Sequence, residues 1–248
     1  MTFKDNFSKV SAEYAQYRPH YPSGLFAYLN SLVTENKEAW DCGTGNGQVA
    51  LELTKYFNRV YASDASEKQV LQAQKNEKIE YFVSLAEETP IRDRSLDLIT
   101  VAQAFHWFDA EKFFLEAKRI LKPQGILALW CYDLFDLPNA SKDLKTSVDR
   151  FCLEVEPFWD KERKLVENGY KSIDFPLAEI FPVPSFSIKL EWTAQQLLGY
   201  LSTWSSSQKY RIANGDDSLS TFAEEISQNY IGKMEIQWDL HFRIGKNS

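Results

Sequence analysis

Apolar side chains recur at two spacings along this chain, and the order in which the spacings alternate changes near residue 131. Leu25, Phe26, Leu29 and Leu32 return at helical intervals, which predicts a helix from Pro22-Ser23 to about Val33. A short strand then ends at Asp41, and the run beginning Leu51-Glu52-Leu53 predicts a helix to about Tyr56. Arg59–Asp64 is β-branched and aromatic and reads as a second strand. Ser66 to Gln74 is helical, with Ser66 as its N-cap, and Lys78–Ser84 is a third strand. Leu96–Ala102 is apolar almost throughout, the pattern of a strand buried on both faces. Asp109–Leu121 is a helix closed by Lys122-Pro123-Gln124-Gly125, and Ile126–Trp130 is a fifth strand.

Strand and helix in regular alternation predict an α/β fold with a doubly wound, mostly parallel sheet. Ligands of such sheets bind at the carboxyl ends of the strands. Asp41, Asp64, Ala86, Gln103 and His106 all fall at or just past those ends.

Beyond residue 131 the rhythm is different. Residues 141–171 are charge-rich and helical in pattern, with Leu144, Val148, Phe151, Cys152, Val155 and Phe158 on one face. Phe181-Pro182-Val183-Pro184 breaks the chain, and Ser185–Trp192 alternates as a half-buried strand. Thr193 caps a helix to about Trp204, and a further helix covers Asp216–Tyr230. Glu235–Ile244 alternates cleanly and reads as one antiparallel strand at or near the sheet edge, followed by a frayed tail from Gly245. The expected organisation is a single domain: an N-terminal arm and helix (1–35), a ligand-binding core (36–131), a helical lid with one strand (132–230) and a C-terminal edge strand (231–248). Within the arm, Phe3, Phe7, Val10 and Tyr14 are spaced as a short amphipathic helix.

Charge narrows the partners. The net charge is −7 and no basic tract is present, which argues against nucleic acid and for a small-molecule substrate. No apolar run approaches the ~18 residues of a membrane span, and no signal peptide is evident, so a cytoplasmic, soluble protein is the expectation, monomeric or homodimeric. Cys42, Cys131 and Cys152 lack metal-ligand spacing, as do His20, His106 and His241; no metal is expected, and the thiols read as reduced.

The chemistry concentrates in Asp41-Cys42-Gly43-Thr44-Gly45-Asn46-Gly47-Gln48. Three glycines in five residues exceed what a plain turn needs and let a ligand lie against the backbone. A dinucleotide fingerprint would place its third glycine at position 48, which is Gln48, and Asp41 would repel a pyrophosphate. S-adenosylmethionine carries an ammonium and a sulfonium and no phosphate, so a carboxylate beside the loop helps it. Asp64, followed by Ala65, can accept hydrogen bonds from ribose hydroxyls, and Ala86-Glu87 are in position to meet adenine.

These stretches, with Leu96-Asp97-Leu98-Ile99 and Leu121-Lys122-Pro123-Gln124-Gly125, resemble the ordered motifs of class I S-adenosylmethionine-dependent methyltransferases of the type 11 group. Ala102-Gln103-Ala104-Phe105-His106-Trp107-Phe108-Asp109, Tyr14-x-x-Tyr17-Arg18-Pro19-x-Tyr21-Pro22 and Tyr200-Leu201-Ser202-Thr203-Trp204-Ser205 resemble the trans-aconitate methyltransferase-like small-molecule branch. The resemblance implies a seven-stranded Rossmann-like sheet, with S-adenosylmethionine as donor and S-adenosylhomocysteine as product. It implies that Gly43, Thr44, Gly45, Asn46 and Gly47 line the methionine part and that Asp64 holds the ribose. Ala86 and Glu87 would flank the adenine, Gln103 and Ala104 would lie under the sulfonium, and Tyr14 and Arg18 would close over the donor. Leu85 stands where many relatives carry an aspartate for the adenine amine, so adenine recognition passes to backbone groups or Glu87.

The function implied is methyl transfer to a small molecule by in-line displacement, with oxygen, a carboxylate oxygen among the options, as acceptor. His106 is the candidate base for a protonated acceptor, or else a structural histidine lining the donor site. Trp107, Phe108, Tyr132 and Trp204 are candidates for the acceptor pocket, and Lys209 or Arg211 for pairing with an acidic acceptor. A nicotinamide-dependent oxidoreductase and a non-catalytic S-adenosylmethionine-binding protein are the alternatives.

Overall fold

The alternation in the central strands is resolved onto two faces of one sheet. A computed structural model of the chain describes residues 19–215 and 219–248. Its elements begin with α1 (Ser23–Leu32), β1 (Glu38–Cys42), α2 (Gln48–Leu53), β2 (Arg59–Asp64), α3 (Glu67–Gln72) and β3 (Ile79–Val83). They continue with β4 (Leu96–Ala102), α4 (Ala110–Ile120) and β5 (Leu121–Cys131). The second half holds α5 (Lys142–Val155), α6 (Arg163–Glu167), β6 (Ala178–Glu179), β7 (Ser187–Trp192), α7 (Ala194–Ser202), α8 (Ser205–Asn214) and α9 (Ser220–Asn229). β8 (Met234–Asp239) and β9 (His241–Lys246) complete the chain.

Seven strands form the main sheet in the order β3-β2-β1-β4-β5-β9-β6. The first five are parallel, and β9 runs antiparallel to β5. In β5, Ile126, Ala128 and Trp130 face one core with α1 and α2, while Leu127, Leu129 and Cys131 face the other with α4. Side chains two apart point the same way, so a strand sandwiched between helices must be apolar at every position. That is why Leu96–Ala102 reads as a continuous apolar run. Strand order reverses between β1 and β4, and the loops leaving those two strands part there to open a crevice.

Four sequence expectations change. Glu235–Ile244 is two strands: β8 pairs with β7 in a separate two-stranded sheet, Leu240 bridges, and β9 joins the main sheet. Ile236, Trp238, Leu240 and Ile244 are all buried, so the period-two pattern runs unbroken across a change of partner. β9 is also not the edge, because the two-residue β6 covers it. The tail is held: Gly245 and Lys246 belong to β9, and Asn247 Nδ2 donates toward the carbonyls of Lys118, Leu121 and Lys122. Residues 122–125 do not precede the fifth strand but bulge from it, since Leu96 pairs with Leu121 and Leu98 with Ile126. Ser205–Asn214 is a helix that the sequence reading leaves unassigned.

Finer boundaries also move. α2 ends at Leu53, with turn residues beyond, and Ser66 makes no side-chain cap; its amide donates to Asp64 Oδ1 instead. Thr193 does cap α7, in a reciprocal capping box with Gln196. The arm helix expected around Phe3–Tyr14 and the first residues of the helix expected from Asp216 lie outside the described residues.

The amino end of the crevice strands is tied by one carboxylate. Asp97 of β4 is buried, accepts from the amides of Lys37 and Glu38 at 3.0 and 2.9 Å, and pairs with Lys122 Nζ at 2.5 Å. Asp97→Ala strands two amides and leaves Lys122 with only Glu35, at 3.4 Å, as its carboxylate partner. A loss of about 3 kcal/mol in urea unfolding is expected; an unchanged midpoint would show that the clamp carries no stability.

Candidate active site

The glycine loop is shaped by a carboxylate behind it. Asp41 ends β1 almost fully buried, and its Oδ2 accepts from Thr44 Oγ1 (2.6 Å) and Ala50 N (3.1 Å). Its Oδ1 accepts from Thr100 Oγ1 of β4 (3.0 Å). Burial pushes the Asp41 carboxyl up to about 6, against the three bonds that favour its charge. Gly43 and Gly47 take φ of 70° and 83°, and each has a second reason to lack a side chain. A Cβ on Gly43 would stand 2.6 Å from the Cβ of Ala104, and one on Gly47 would collide with the Tyr81 hydroxyl. The loop is pinned sideways as well: Gly45 N donates to Asp64 Oδ2 (2.9 Å), and Thr44 N to the carbonyl of Ser63 (2.9 Å). Gln48, in place of a third glycine, reaches back to the Pro19 carbonyl and to His20 Nδ1 ahead of α1.

Across the crevice, the segment after β4 forms the opposite wall. Gln103 adopts φ 54°, and its side-chain amide both donates to and accepts from the backbone of Tyr132, each at 2.9 Å. Two residues further on begins a 3₁₀ turn, Phe105–Trp107, and Asp109 caps α4. Glu87 Oε1 accepts from Asp109 N at 2.7 Å, which ties the loop after β3 to this wall. His106 Nδ1 lies 3.1 Å from the hydroxyl of Tyr170, a fully buried residue beyond α6.

Between the walls lies a cavity of ≈ 920 Å³. Of the residues singled out from sequence, Asp41, Gly43, Thr44, Gly45, Asn46, Asp64, Ala65, Ala86, Glu87, Gln103, Ala104, His106, Trp107, Phe108 and Tyr132 line it. Gly47 shapes the loop without lining the cavity, and Tyr14 and Arg18 lie outside the described residues. Asp41 lines the space, but its Oδ2 serves the loop and its Oδ1 serves Thr100 of β4, so its first role is to hold the backbone. A second chamber of ≈ 90 Å³ adjoins and is lined by Trp204 together with Asp133, Trp159, Asp160, Arg163 and Tyr200. Gln103, His106, Trp107 and Tyr132 line both spaces.

The second chamber supplies residues that sequence reasoning missed. Arg163 stacks on Trp159, its carbon Cζ 4.0 Å from the ring centroid, and pairs with Asp133. Lys209, a candidate for an acidic acceptor, is instead paired with Asp160 at 2.7 Å. Arg163 lies in a charge-dense stretch with no motif, and Tyr170 is brought to His106 across 64 residues of chain, so neither has a local signal. Among the described residues no group of His, Cys, Asp and Glu is arranged to hold a metal ion, and no helix is long and apolar enough to cross a membrane. Burial pushes the thiols of Cys42 and Cys131 up, so neither is a ready thiolate nucleophile.

Comparison with known proteins agrees with this geometry. Residues 40–129 match the family model described as a methyltransferase domain. A protein of Dictyostelium discoideum named as a methyltransferase is 32% identical over 231 residues, 92% of this chain and 87% of that protein. A protein of Saccharomyces cerevisiae named as an S-adenosylmethionine-dependent methyltransferase is 30% identical over 145 residues, 52% of this chain and 49% of its own length. A solved structure of a type II methyltransferase from Anaeromyxobacter dehalogenans superposes with a TM-score of 0.85 at 33% identity, covering 93% of this chain and 98% of that one. The chain belongs to the class I S-adenosylmethionine-dependent methyltransferases, and S-adenosylmethionine is its cofactor.

The Asp41 network has a measurable pH signature. Its carboxyl binds a proton more tightly when folded (about 6) than when unfolded (3.8), so the folded state holds more protons between those values. Stability contributed at this position therefore falls as pH rises from 3.8 to about 6, by about 3 kcal/mol if fully expressed. Urea unfolding of wild type against Asp41→Asn across that window is expected to show the gap shifting against the wild type as pH rises. A pH-independent gap would contradict the raised pKa of Asp41.

Proposed function

We propose that this chain transfers the methyl group of S-adenosylmethionine to an oxygen, a carboxylate oxygen first among candidates, of a small molecule held in the ≈ 90 Å³ chamber. The observation that carries the donor side is the charge of the large cavity. Asp41, Asp64, Glu87, Glu88, Asp109 and Glu162 line it against Lys112, and Lys112 is itself paired with Asp109. Such a lining suits a ligand bearing ammonium and sulfonium charges and opposes the pyrophosphate of a nicotinamide dinucleotide.

S-adenosylmethionine supplies a methyl group already activated on a sulfonium. The protein's work is then alignment and exclusion of water. In this reading Gly43 to Gly47 cradle the methionine part, with Asp64 and Ala65 at the ribose and Ala86 and Glu87 at the adenine. Gln103 and Ala104 underlie the sulfonium, and Tyr14 and Arg18 of the arm close over the donor. Trp107 and Phe108 present aromatic faces that favour a cation. The wall shared by the two spaces, Gln103, His106, Trp107 and Tyr132, is where the methyl group crosses. Trp204 closes the acceptor side, and Arg163 offers that chamber a cation. The organisation proposed is one domain, with residues 1–35 and 132–230 covering a core of residues 36–131, acting on small molecules in the cytoplasm as a monomer or homodimer. Three free cysteines agree with a reducing compartment.

Calorimetry with S-adenosylmethionine, S-adenosylhomocysteine and NADH tests the donor; binding of the first two and silence with NADH is expected, and the reverse sinks the reading. Asp64→Ala is expected to weaken S-adenosylhomocysteine binding by roughly 100-fold, the worth of charge-assisted bonds to two hydroxyls. Unchanged affinity removes the ribose assignment. Turnover over a panel of carboxylic acids and phenols separates an enzyme from a protein that only holds the donor.

A further inference from the structure

The hydroxyl of Tyr170 sits in a fully buried place and still has a proton to dispose of. Tyr170 follows Gly169 at the end of α6, both at positive φ (60° and 62°), a turn that drives its ring inward beneath the 3₁₀ turn. Its ring packs edge-on against Phe105 and leaves the oxygen 3.1 Å from His106 Nδ1. The nearby backbone of Phe105 and His106 pulls the phenol toward ionisation, in the direction opposite to burial. Burial nevertheless holds the phenol protonated far above neutral pH. A buried hydroxyl proton needs an acceptor. Among the described residues the acceptor within reach is Nδ1 of His106.

We propose that Tyr170 is a positioning residue that donates its phenol proton to His106 Nδ1 and so fixes the imidazole with its own proton on Nε2. A neutral imidazole has one donor nitrogen and one acceptor nitrogen, and the partner of one decides the other. With Nδ1 turned to the core, the Nε2 edge belongs to the side of the ring that lines both cavities. His106 then meets an acceptor as a hydrogen-bond donor and has no lone pair there with which to remove a proton.

This selects the acceptor class, a step that rests on the methyl-transfer reading, whereas the tautomer does not. The acceptor oxygen must arrive already ionised, as a carboxylate does at neutral pH and a neutral alcohol does not. No proton moves: the oxygen's electron pair forms the O–CH₃ bond, and the pair of the broken S–CH₃ bond stays on sulfur. His106 donates to the carboxylate and holds it at the wall that the two cavities share.

The chain has three histidines, so long-range proton–nitrogen correlation spectra of the labelled full chain resolve each ring, with His106→Gln giving the assignment. The expected spectrum at pH 8 is a single Nε2–H tautomer for His106, giving way to a mixture in Tyr170→Phe. An Nδ1–H tautomer in the wild type overturns the proposal without any variant, as does an unchanged His106 spectrum in a folded Tyr170→Phe. In turnover assays, Tyr170→Phe is expected to lower kcat for carboxylic acids about 10-fold, the worth of one oriented bond to a charged group, with donor affinity unchanged. His106-dependent methylation of a neutral alcohol would overturn the acceptor class. Failure of S-adenosylmethionine to bind at all would strike the functional reading and leave the tautomer result standing.

Discussion

The glycine-loop wall at the mouth of this sheet depends on how one buried carboxylate is satisfied. Asp41 stands at the carboxyl end of β1 with no cation paired to it among the described residues, and three neutral donors, Thr44 Oγ1, Ala50 N and Thr100 Oγ1, share the work of stabilising it. Charge in a poorly solvated place is costly, and burial pushes its carboxyl up to about 6 although the three donors pull the other way. The return is geometric. Thr44 and Ala50 are the two flanks of the glycine loop, and Thr100 belongs to the neighbouring strand across the switch point. One side chain therefore sets the loop's curvature and its distance from β4. Gly45 N is thereby aimed at Asp64 on β2, so three strands are registered at their ends by two carboxylates. A ligand bearing positive charge relieves the repulsion between those carboxylates, whereas a phosphate adds to it.

The opposite wall is fixed by a different device. Gln103 leaves β4 in a left-handed conformation that non-glycine residues seldom adopt. Its amide repeats the donor and acceptor pair of a strand residue against Tyr132, so the β4–β5 ladder is continued by a side chain for one more step. The strain of the backbone is offset by two hydrogen bonds and by the amide of Gln103 itself, which donates to the Trp130 carbonyl. This turn is what sends Ala104 against Gly43 and leaves His106 and Trp107 between the two cavities. The two walls are thus held independently, one by a carboxylate and one by an amide, and meet at the Gly43–Ala104 contact.

How much of this the sequence disclosed follows from the range of each signal. Burial on both faces prints itself along Leu96–Ala102, and three glycines behind Asp41 announce a loop, so the sheet and the cavity residues were legible. The break at Leu240 was not, because β8 and β9 bury alternate residues with the same period while pairing with different sheets. α8 opens with Ser205-Ser206-Ser207, residues that favour caps and turns over helix interiors, and its stability comes from packing instead. Asp41 was readable as a carboxylate near a ligand, but not that one of its oxygens turns to β4, since Thr100 lies 59 residues away. Lys209 looked like a free cation for the same reason: Asp160, its partner, sits 49 residues away in the irregular stretch before α6.

The composition of the second chamber bears on rate as well as recognition. Trp107, Tyr132, Trp159, Tyr200 and Trp204 give its walls a large aromatic share, and its cation, Arg163, is already compensated by Asp133 and stands over the Trp159 ring. Methylation of a carboxylate by a sulfonium joins an anion to a cation and yields two neutral products. A polar solvent stabilises the separated charges more than the transition state in which they cancel, so it slows such a reaction. A chamber that replaces water by aromatic surface removes that stabilisation from the reactants, and the oriented donors that remain supply position. In such a setting a fully exposed, uncompensated arginine would be a poor design, because it would hold the carboxylate's charge in place. On the function proposed above, the pairing of Arg163 with Asp133 would temper that hold, so that a carboxylate acceptor would be oriented without being stabilised against reaction.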